Sequence, residues 1–516
     1  MVLVMLAIAG MAVAGAAVIL FATVWGAGIS PDSISYVQAA RNLLMGRGLS
    51  VFSPSGELGP LLHFPPLFPV ALAAIGIPGV DPAEGARWLN ALVFGANITL
   101  VGLIVYRATR GSLWIALLSS WLMLASYTML VIHSTAITEP LFILCVLLTL
   151  LLLDAYIERP RLWLLVSTAL VAAMGLMTRY IGGALVFTGA WMLFFLNKRT
   201  GRSRLRDLVV FVCVSCLPAL LWSIRNLYLA GAASDRKLAY HPVTLQQFDV
   251  ALDALSRWLV PVRLPGMARG AVVFGELLVL VALWALTVVL SRNRARAGSA
   301  EPTSSRLQQA FITIFLAYLG FLILSISFFD AATPLDLRML SPLFVAGLIV
   351  LLCLLDRLLH LTENRRVMRP AIIALCALLA LSYSISAVAW SVNNHNTGGG
   401  YASKAWRQSE LLDQIKGMPP NTVIFSNGAD AIYWLTGRTA YGLPAKKDIN
   451  TQSVYENYPA GLASVGDRLK KDDGILVYFD LITWRDYLPS EDELTQALPL
   501  KLIKKTGAGA IYRIEQ

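Results

Sequence analysis

The sequence predicts a polytopic α-helical membrane protein with a C-terminal soluble α/β domain. Two observations carry this expectation. Residues are 57% hydrophobic and only 14% charged, with a mean hydropathy of +0.65, which excludes a soluble globular chain of 516 residues. Past Ser391, polar and charged residues return and short strand-like runs alternate with helical ones.

Apolar runs that match a hydrocarbon core of roughly 30 Å recur along the chain. They fall at residues 3–26, 86–106, 112–132, 138–156, 162–178, 181–196, 207–229, 271–291, 309–329, 339–356 and 371–390, about eleven spans in all. Leu67 to Ile77 is apolar but too short to cross, and reads as a re-entrant or interfacial piece. Arginines and lysines set the orientation, because cytoplasmic loops retain positive charge. Arg107 and Arg110, Arg159 and Arg161, the run Lys198 to Arg206, Arg292 to Arg296, and Arg357 with Arg365, Arg366 and Arg369 share one side, which is cytoplasmic. The net charge of +11 is thus mostly a topology signal and needs no nucleic-acid partner. The first span lacks a basic leader and reads as a retained anchor. All five cysteines sit in apolar spans, so no disulfide framework is expected outside, and Cys213 and Cys216 read as buried inert thiols.

The expected organisation is a transmembrane domain over residues 1–390, with an external amphipathic first loop at 27–85, and an external α/β domain over 391–516. In that domain Trp406 to Gly417 reads as a helix, Thr422 to Ser426 as a buried strand, Ala429 to Thr436 as a helix and Gly474 to Phe479 as another strand. Gly507 and Gly509 are too close together and wrongly placed for a nucleotide fingerprint. Tyr433 and Trp434 could face a site or belong to the core.

Asp32 stands a few residues after the first span, at the head of a segment whose apolar positions Ile34, Val37, Ala40, Leu43 and Leu44 repeat at helical spacing. This segment should lie on the membrane surface as an amphipathic helix ended by Gly46 and Gly48. A carboxylate there either caps the helix or deprotonates an acceptor hydroxyl. Glu139, at the outer end of the fourth span, has the same two readings.

The string Pro31-Asp32-Ser33-Ile-Ser35-Tyr36 leading to Ala40-Arg41-Asn42-Leu43 and Gly46-Arg-Gly48, then Pro65-Pro-Leu-Phe-Pro69, then Thr138-Glu139-Pro140-Leu-Phe142, resembles the polyprenyl-phosphate-dependent GT-C glycosyltransferases. It is most similar to the branch of protein O-mannosyltransferases and the aminoarabinose transferase of lipid A. The likeness covers the first half through Arg225 and Asn226, and the rest in layout only.

The resemblance implies an inverting transfer of a hexosyl or pentosyl group from a polyprenyl-phosphate donor to an external lipid, glycan or protein hydroxyl, in the cell membrane and on its extracytoplasmic side. It places Asp32 at the acidic position of the first loop and Glu139 at the second, as the catalytic pair. Ser33 stands where some members have a second acidic residue, so a bound divalent metal is doubtful and no cofactor is otherwise implied. A departing lipid phosphate gathers negative charge and calls for fixed cations, for which arginine is suited. Arg225, Arg338 and Arg179 with Tyr180 stand at external span ends and are the candidate phosphate-binding residues. Snorkelling, or an Asp336 to Arg338 ion pair, is the alternative. His63, His133 and Lys237 are candidate substrate contacts. Two other classes remain open: a transporter or flippase of lipid-linked saccharide, which would place ionisable residues mid-span, and a non-catalytic assembly subunit in which the carboxylates only cap helices.

Overall fold

A computed structural model describes residues 2–53, 55–296, 305–361 and 365–515. The predicted basic positions Arg294, Arg296, Arg365 and Arg366 belong to helix segments whose side chains lie outside this description.

The chain opens with α1 (Val2–Ala22), followed by α2 (Pro31–Leu44), a small hairpin of β1 (Ser50–Phe52) and β2 (Leu58–Pro60), and α3 (Leu67–Gly76). Then come α4 (Pro82–Ala108), α5 (Leu113–Leu124), α6 (Tyr127–His133), α7 (Glu139–Glu158), α8 (Leu162–Thr178), a 3-10 turn at Tyr180–Gly182, α9 (Gly183–Phe195) and α10 (Gly201–Ala230). The membrane part closes with α11 (Leu245–Leu259), α12 (Gly266–Arg296), α13 (Arg306–Phe328), α14 (Leu337–Leu361) and α15 (Arg365–Thr397).

Among the described residues eight helices are long and apolar enough to cross a bilayer, or nine when α5 and α6, bent by 54° at their junction, count as one broken span. The two remaining expected spans hold α8 and α9, of 17 and 13 residues. They meet at Arg179, whose backbone is extended (φ −149°, ψ 134°). The chain is a multi-pass membrane protein. Its membrane core is packed from Phe94, Ile98, Phe142, Leu147, Phe311 and Tyr318 among others.

Local chemistry explains the first loop. Ser30 is the N-cap of α2, its hydroxyl accepting from the Ser33 amide while the Ser33 hydroxyl accepts from the Ser30 amide, and Pro31 follows at the first helical position. The helix ends before Gly46 and Gly48, both with positive φ. Its apolar face is covered by protein rather than left to lipid: Ile34, Val37 and Ala40 share one buried cluster with Phe68 and Leu72 of α3 and with Tyr401, Trp406 and Phe479 further on.

The C-terminal part holds α16 (Lys404–Arg407), α17 (Glu410–Gly417), β3 (Ile424–Ser426), α18 (Ala429–Thr436), β4 (Tyr441–Gly442), α19 (Tyr458–Lys471), β5 (Ile475–Phe479), α20 (Glu491–Ala497), β6 (Leu500–Thr506) and β7 (Gly509–Ile514). Its sheet runs β4-β3-β5-β7-β6, with β3 parallel to β4 and β5, and β7 antiparallel to β5 and β6. One face packs on α17 and α18 and is continuous with the α2 cluster. The other packs on α19 and α20 through Phe425, Leu462, Leu476 and Leu494. The helix expected over Trp406 to Gly417 is interrupted at Gln408 and Ser409, and Trp406 turns into the core against Tyr401 and Phe479. Trp434 is half-buried against α2, with the Arg41 guanidinium 4.9 Å above its ring.

Residues 28 and 29 tie three regions together. Gly28 exchanges backbone hydrogen bonds with Ser134 and Ala136 at 2.8 and 2.9 Å, and Tyr401 N donates to Ile29 O at 2.8 Å. Gly400, at φ +53°, lets the last contact form, since a Cβ there would stand 2.1 Å from Ile29 O.

Candidate active site

Four charged side chains from four separate parts of the chain meet where α7 and α14 begin. Arg338, in the first turn of α14, donates from Nη1 to Asp32 Oδ2 at 2.6 Å and from Nε to Glu139 Oε1 at 2.5 Å. Arg179, projecting from the break between α8 and the 3-10 turn, donates to the same Glu139 oxygen, to Thr138 Oγ1 at 3.2 Å, and to Met339 Sδ at 3.0 Å. Asp336 does not pair with Arg338. Its Oδ1 accepts from the Met339 amide at 3.0 Å and caps α14, which leaves the guanidinium for the two carboxylates.

Exposure separates the roles of the two acids. The Glu139 side chain is 0% exposed, Arg179 12%, Arg338 22% and Asp32 33%. Glu139 is therefore enclosed by its arginines and orients them. Of the two carboxylates only Asp32 is accessible from outside the protein. Because Ser30 supplies the helix cap, the Asp32 carboxylate is not consumed by capping. Arg338 Nη2 keeps no partner among the described residues, so one donor of the fork faces outward.

Burial by itself would raise the Asp32 carboxyl, but the Arg338 guanidinium, with lesser help from His63 and Arg179, holds it below the usual carboxylate value. Asp32 is then ionised at neutral pH. Its ion pair persists as the pH falls through the ordinary aspartate value of about 3.9 and is lost only below that. A pH–rate profile of the transfer reaction proposed below should accordingly show no acid limb between pH 7 and about 5. A limb centred near pH 6 would exclude Asp32 as its source. Tyr36, one helical turn on, is buried beside this charge; burial first and Asp32 second push its phenol well above the ordinary value, so it stays protonated.

Arg225 is not joined to this centre. Its Nη1 and Nη2 donate to the carbonyls of Leu61 and Leu49 at 3.1 and 3.0 Å, and the guanidinium stacks on Trp222 at 4.4 Å. It clamps the ends of the β1–β2 hairpin. Arg225→Met should loosen that hairpin by about 1.5–3 kcal/mol, seen as faster limited proteolysis between residues 45 and 62 with the rest of the chain unaltered.

Tyr180 accepts from Trp222 Nε1 at 3.2 Å and lies under Arg236. His63 pairs with Asp235 at 3.0 Å across 172 residues of sequence. Tyr180, His63 and Arg225 thus line the neighbouring side of the first loop. Lys237 is exposed and makes no ion pair among the described residues. His133 is removed from any substrate: buried, with Nδ1 on Met129 O at 2.7 Å and Nε2 on the Asn97 amide at 3.1 Å, it braces α6 against α4.

Among the described residues no group of three His, Cys, Asp or Glu side chains could hold a metal ion. The Arg338 guanidinium fills the space between Asp32 and Glu139, so this pair does not fit a shared cation. Asp235 and Met339 were not singled out in the sequence, and Tyr36 entered only as part of the first-loop string, although it stands four residues after Asp32 on one helix. The His63 to Asp235 pairing left no local signal.

A scan against protein-family models finds no match, and a search of curated proteins finds none. Solved structures do match. ArnT from Cupriavidus metallidurans bound to undecaprenyl phosphate superposes with a TM-score of 0.57 at 13% identity, covering 97% of each chain. The oligosaccharyltransferase of Archaeoglobus fulgidus tethered with an acceptor peptide gives 0.52 at 12% identity, over 98% of this chain and 74% of that one. Mycobacterial arabinofuranosyltransferase AftD gives 0.52 at 14% identity, over 99% of this chain and 40% of that one. The protein has the GT-C fold, as its first-loop motifs led us to expect.

Proposed function

We propose that this protein is a membrane glycosyltransferase that moves a sugar from a polyprenyl-phosphate carrier to a hydroxyl acceptor at the extracytoplasmic face, with inversion. The observation that carries the reading is the accessible Asp32 carboxylate, held by Arg338 and backed by the enclosed Glu139–Arg179 pair. A GT-C fold, matching an ArnT structure bound to undecaprenyl phosphate, agrees with it.

In the reaction, the acceptor O–H gives its proton to Asp32 as the oxygen bonds to the anomeric carbon. The bond from that carbon to the phosphate oxygen breaks, and its electron pair leaves with the polyprenyl phosphate. Arg338 presents its outward Nη2 to the phosphate as charge accumulates there. Arg179 acts through Glu139, fixing the angle of Arg338, and is a positioning residue. Arg225, Lys237 and Tyr180 border the approach to the lipid phosphate.

The test is transfer of radiolabelled sugar from a panel of polyprenyl-phosphate sugars, in membranes containing the full chain, to endogenous acceptors. Transfer from one donor above membranes lacking the protein is expected. Absence of transfer from every donor would overturn the reading.

A further inference from the structure

α9 leaves the reaction centre just after Arg179, and α13 returns toward it, the Tyr318 hydroxyl donating to Met339 O at 3.0 Å beside Arg338. Near the centre the two helices touch: a Cβ on Gly183 would stand 3.1 Å from the Phe321 ring. Further away they part and leave a groove of about 500 Å³, lined by Phe187 and Trp191 of α9 and by Ile312, Leu316 and Ala317 of α13. Residues 187 and 191, and 312 and 316, stand one turn apart, so each helix offers an apolar stripe along the groove. Thr313 also lines it, but its hydroxyl is turned back to Gln309 O at 2.9 Å. A cavity of this size and lining accepts a hydrocarbon chain.

The end of the groove away from Arg179 adjoins a basic turn. Trp191 packs on Phe195 with ring centroids 5.3 Å apart, Phe195 on Phe194 at 4.8 Å, and the Arg204 guanidinium lies 5.9 Å above Phe194. From Lys198 to Asp207 five cations stand against one carboxylate. That carboxylate is taken: Asp207 pairs with Arg199 at 3.5 Å and Arg206 at 3.0 Å and accepts from the Tyr156 hydroxyl at 2.6 Å. Arg204 donates to the carbonyls of Arg199 and Asn197 and keeps its charge uncompensated. Lys198 and Arg202 are exposed and have no ion-pair partner among the described residues. The same turn presents the N-terminus of α10, whose cap residue Thr200 makes no side-chain hydrogen bond, so the first amides and the helix dipole add to the positive field. Uncompensated cations at the mouth of an apolar groove complement a phosphodiester carried on an acyl chain, whereas a zwitterionic headgroup brings no net charge to meet them.

We infer that the α9–α13 groove, with Lys198, Arg202 and Arg204 at its mouth, binds an anionic phospholipid of the leaflet opposite the reaction centre, one acyl chain in the groove and the phosphodiester on the cations. The close approach of Gly183 and Phe321 separates the groove from Arg179 and Arg338, so its occupant is a membrane lipid and not the polyprenyl carrier.

Native mass spectrometry of the full chain, released from detergent after incubation with phosphatidylglycerol and phosphatidylcholine of identical acyl chains at equal concentration, reads the site. Phosphatidylglycerol should be retained about tenfold more than phosphatidylcholine, and Lys198→Gln combined with Arg202→Gln should reduce its retention about tenfold, the scale of two cations at a membrane surface. Both side chains are exposed and unpaired, so this variant folds as wild type does. Ala317→Leu, which extends a side chain into the groove, should reduce retention about fivefold or more. Equal retention of the two lipids by wild type, or unchanged phosphatidylglycerol retention in the double cation variant, would overturn the site. Loss in the cation variant with full retention in Ala317→Leu would put the lipid on the basic turn alone and overturn the groove as its seat. Displacement of bound phosphatidylglycerol by equimolar polyprenyl phosphate would give the groove to the carrier and overturn the assignment of its occupant. None of these readouts depends on sugar transfer.

Discussion

Sugar transfer should fall by about 10²–10⁴-fold in Asp32→Asn, the usual contribution of a positioned general base. The substitution is close to isosteric, and α2 keeps its start because Ser30 and Ser33 form the cap between them. Asn can still accept from Arg338 Nη1, so the loop remains in place while the proton acceptor is gone. Membrane levels should match wild type, and transfer per molecule, measured with the active donor, gives the number. Transfer within threefold of wild type would remove Asp32 as the base.

The second large effect is on stability. Glu139 is the shared counter-ion of Arg179 and Arg338 and is enclosed by protein. Glu139→Gln leaves both guanidinium groups crowded with only Asp32 to balance them. Breaking an enclosed ion pair by removing one partner costs about 3–5 kcal/mol, so the thermal midpoint of the purified protein should drop by several degrees and transfer should be lost with it. Removing a cation as well, in Glu139→Gln with Arg179→Gln, should recover part of the midpoint without recovering transfer. A double variant no more stable than the single would show that the two residues are not coupled.

Composition and hydropathy made the membrane part legible, because length and apolarity are what the bilayer selects. Helices stand at each of the eleven expected positions. The shortness of α8 and α9 was harder to see: the chain breaks at Arg179, whose side chain pairs with Glu139 on α7, a tertiary contact with no local signal. Asp32 and Glu139 were visible as acidic residues in external connectors, yet nothing in their spacing showed that one is enclosed and the other open. Arg225 looked equivalent to Arg338 by position; its carbonyl partners Leu49 and Leu61 lie 176 and 164 residues away. In the C-terminal part, β3, β5 and α18 were readable as short apolar blocks. The outer strand β6 was missed because Lys501, Lys504 and Lys505 interrupt its alternation, a charge pattern that protects an edge from pairing with other chains.

The span of sequence enclosed by one ion pair has a consequence for biosynthesis. Asp32 and Arg338 are 306 residues apart, and Ile29 waits for Tyr401. At a ribosome rate of about 5–20 residues per second, synthesis alone separates the two halves of the site by tens of seconds. Over that interval the first loop has neither its cation nor its roof. The nascent chain therefore carries an unassembled centre until α14 and the segment around Tyr401 have been delivered, and the order of translation fixes when the site can close.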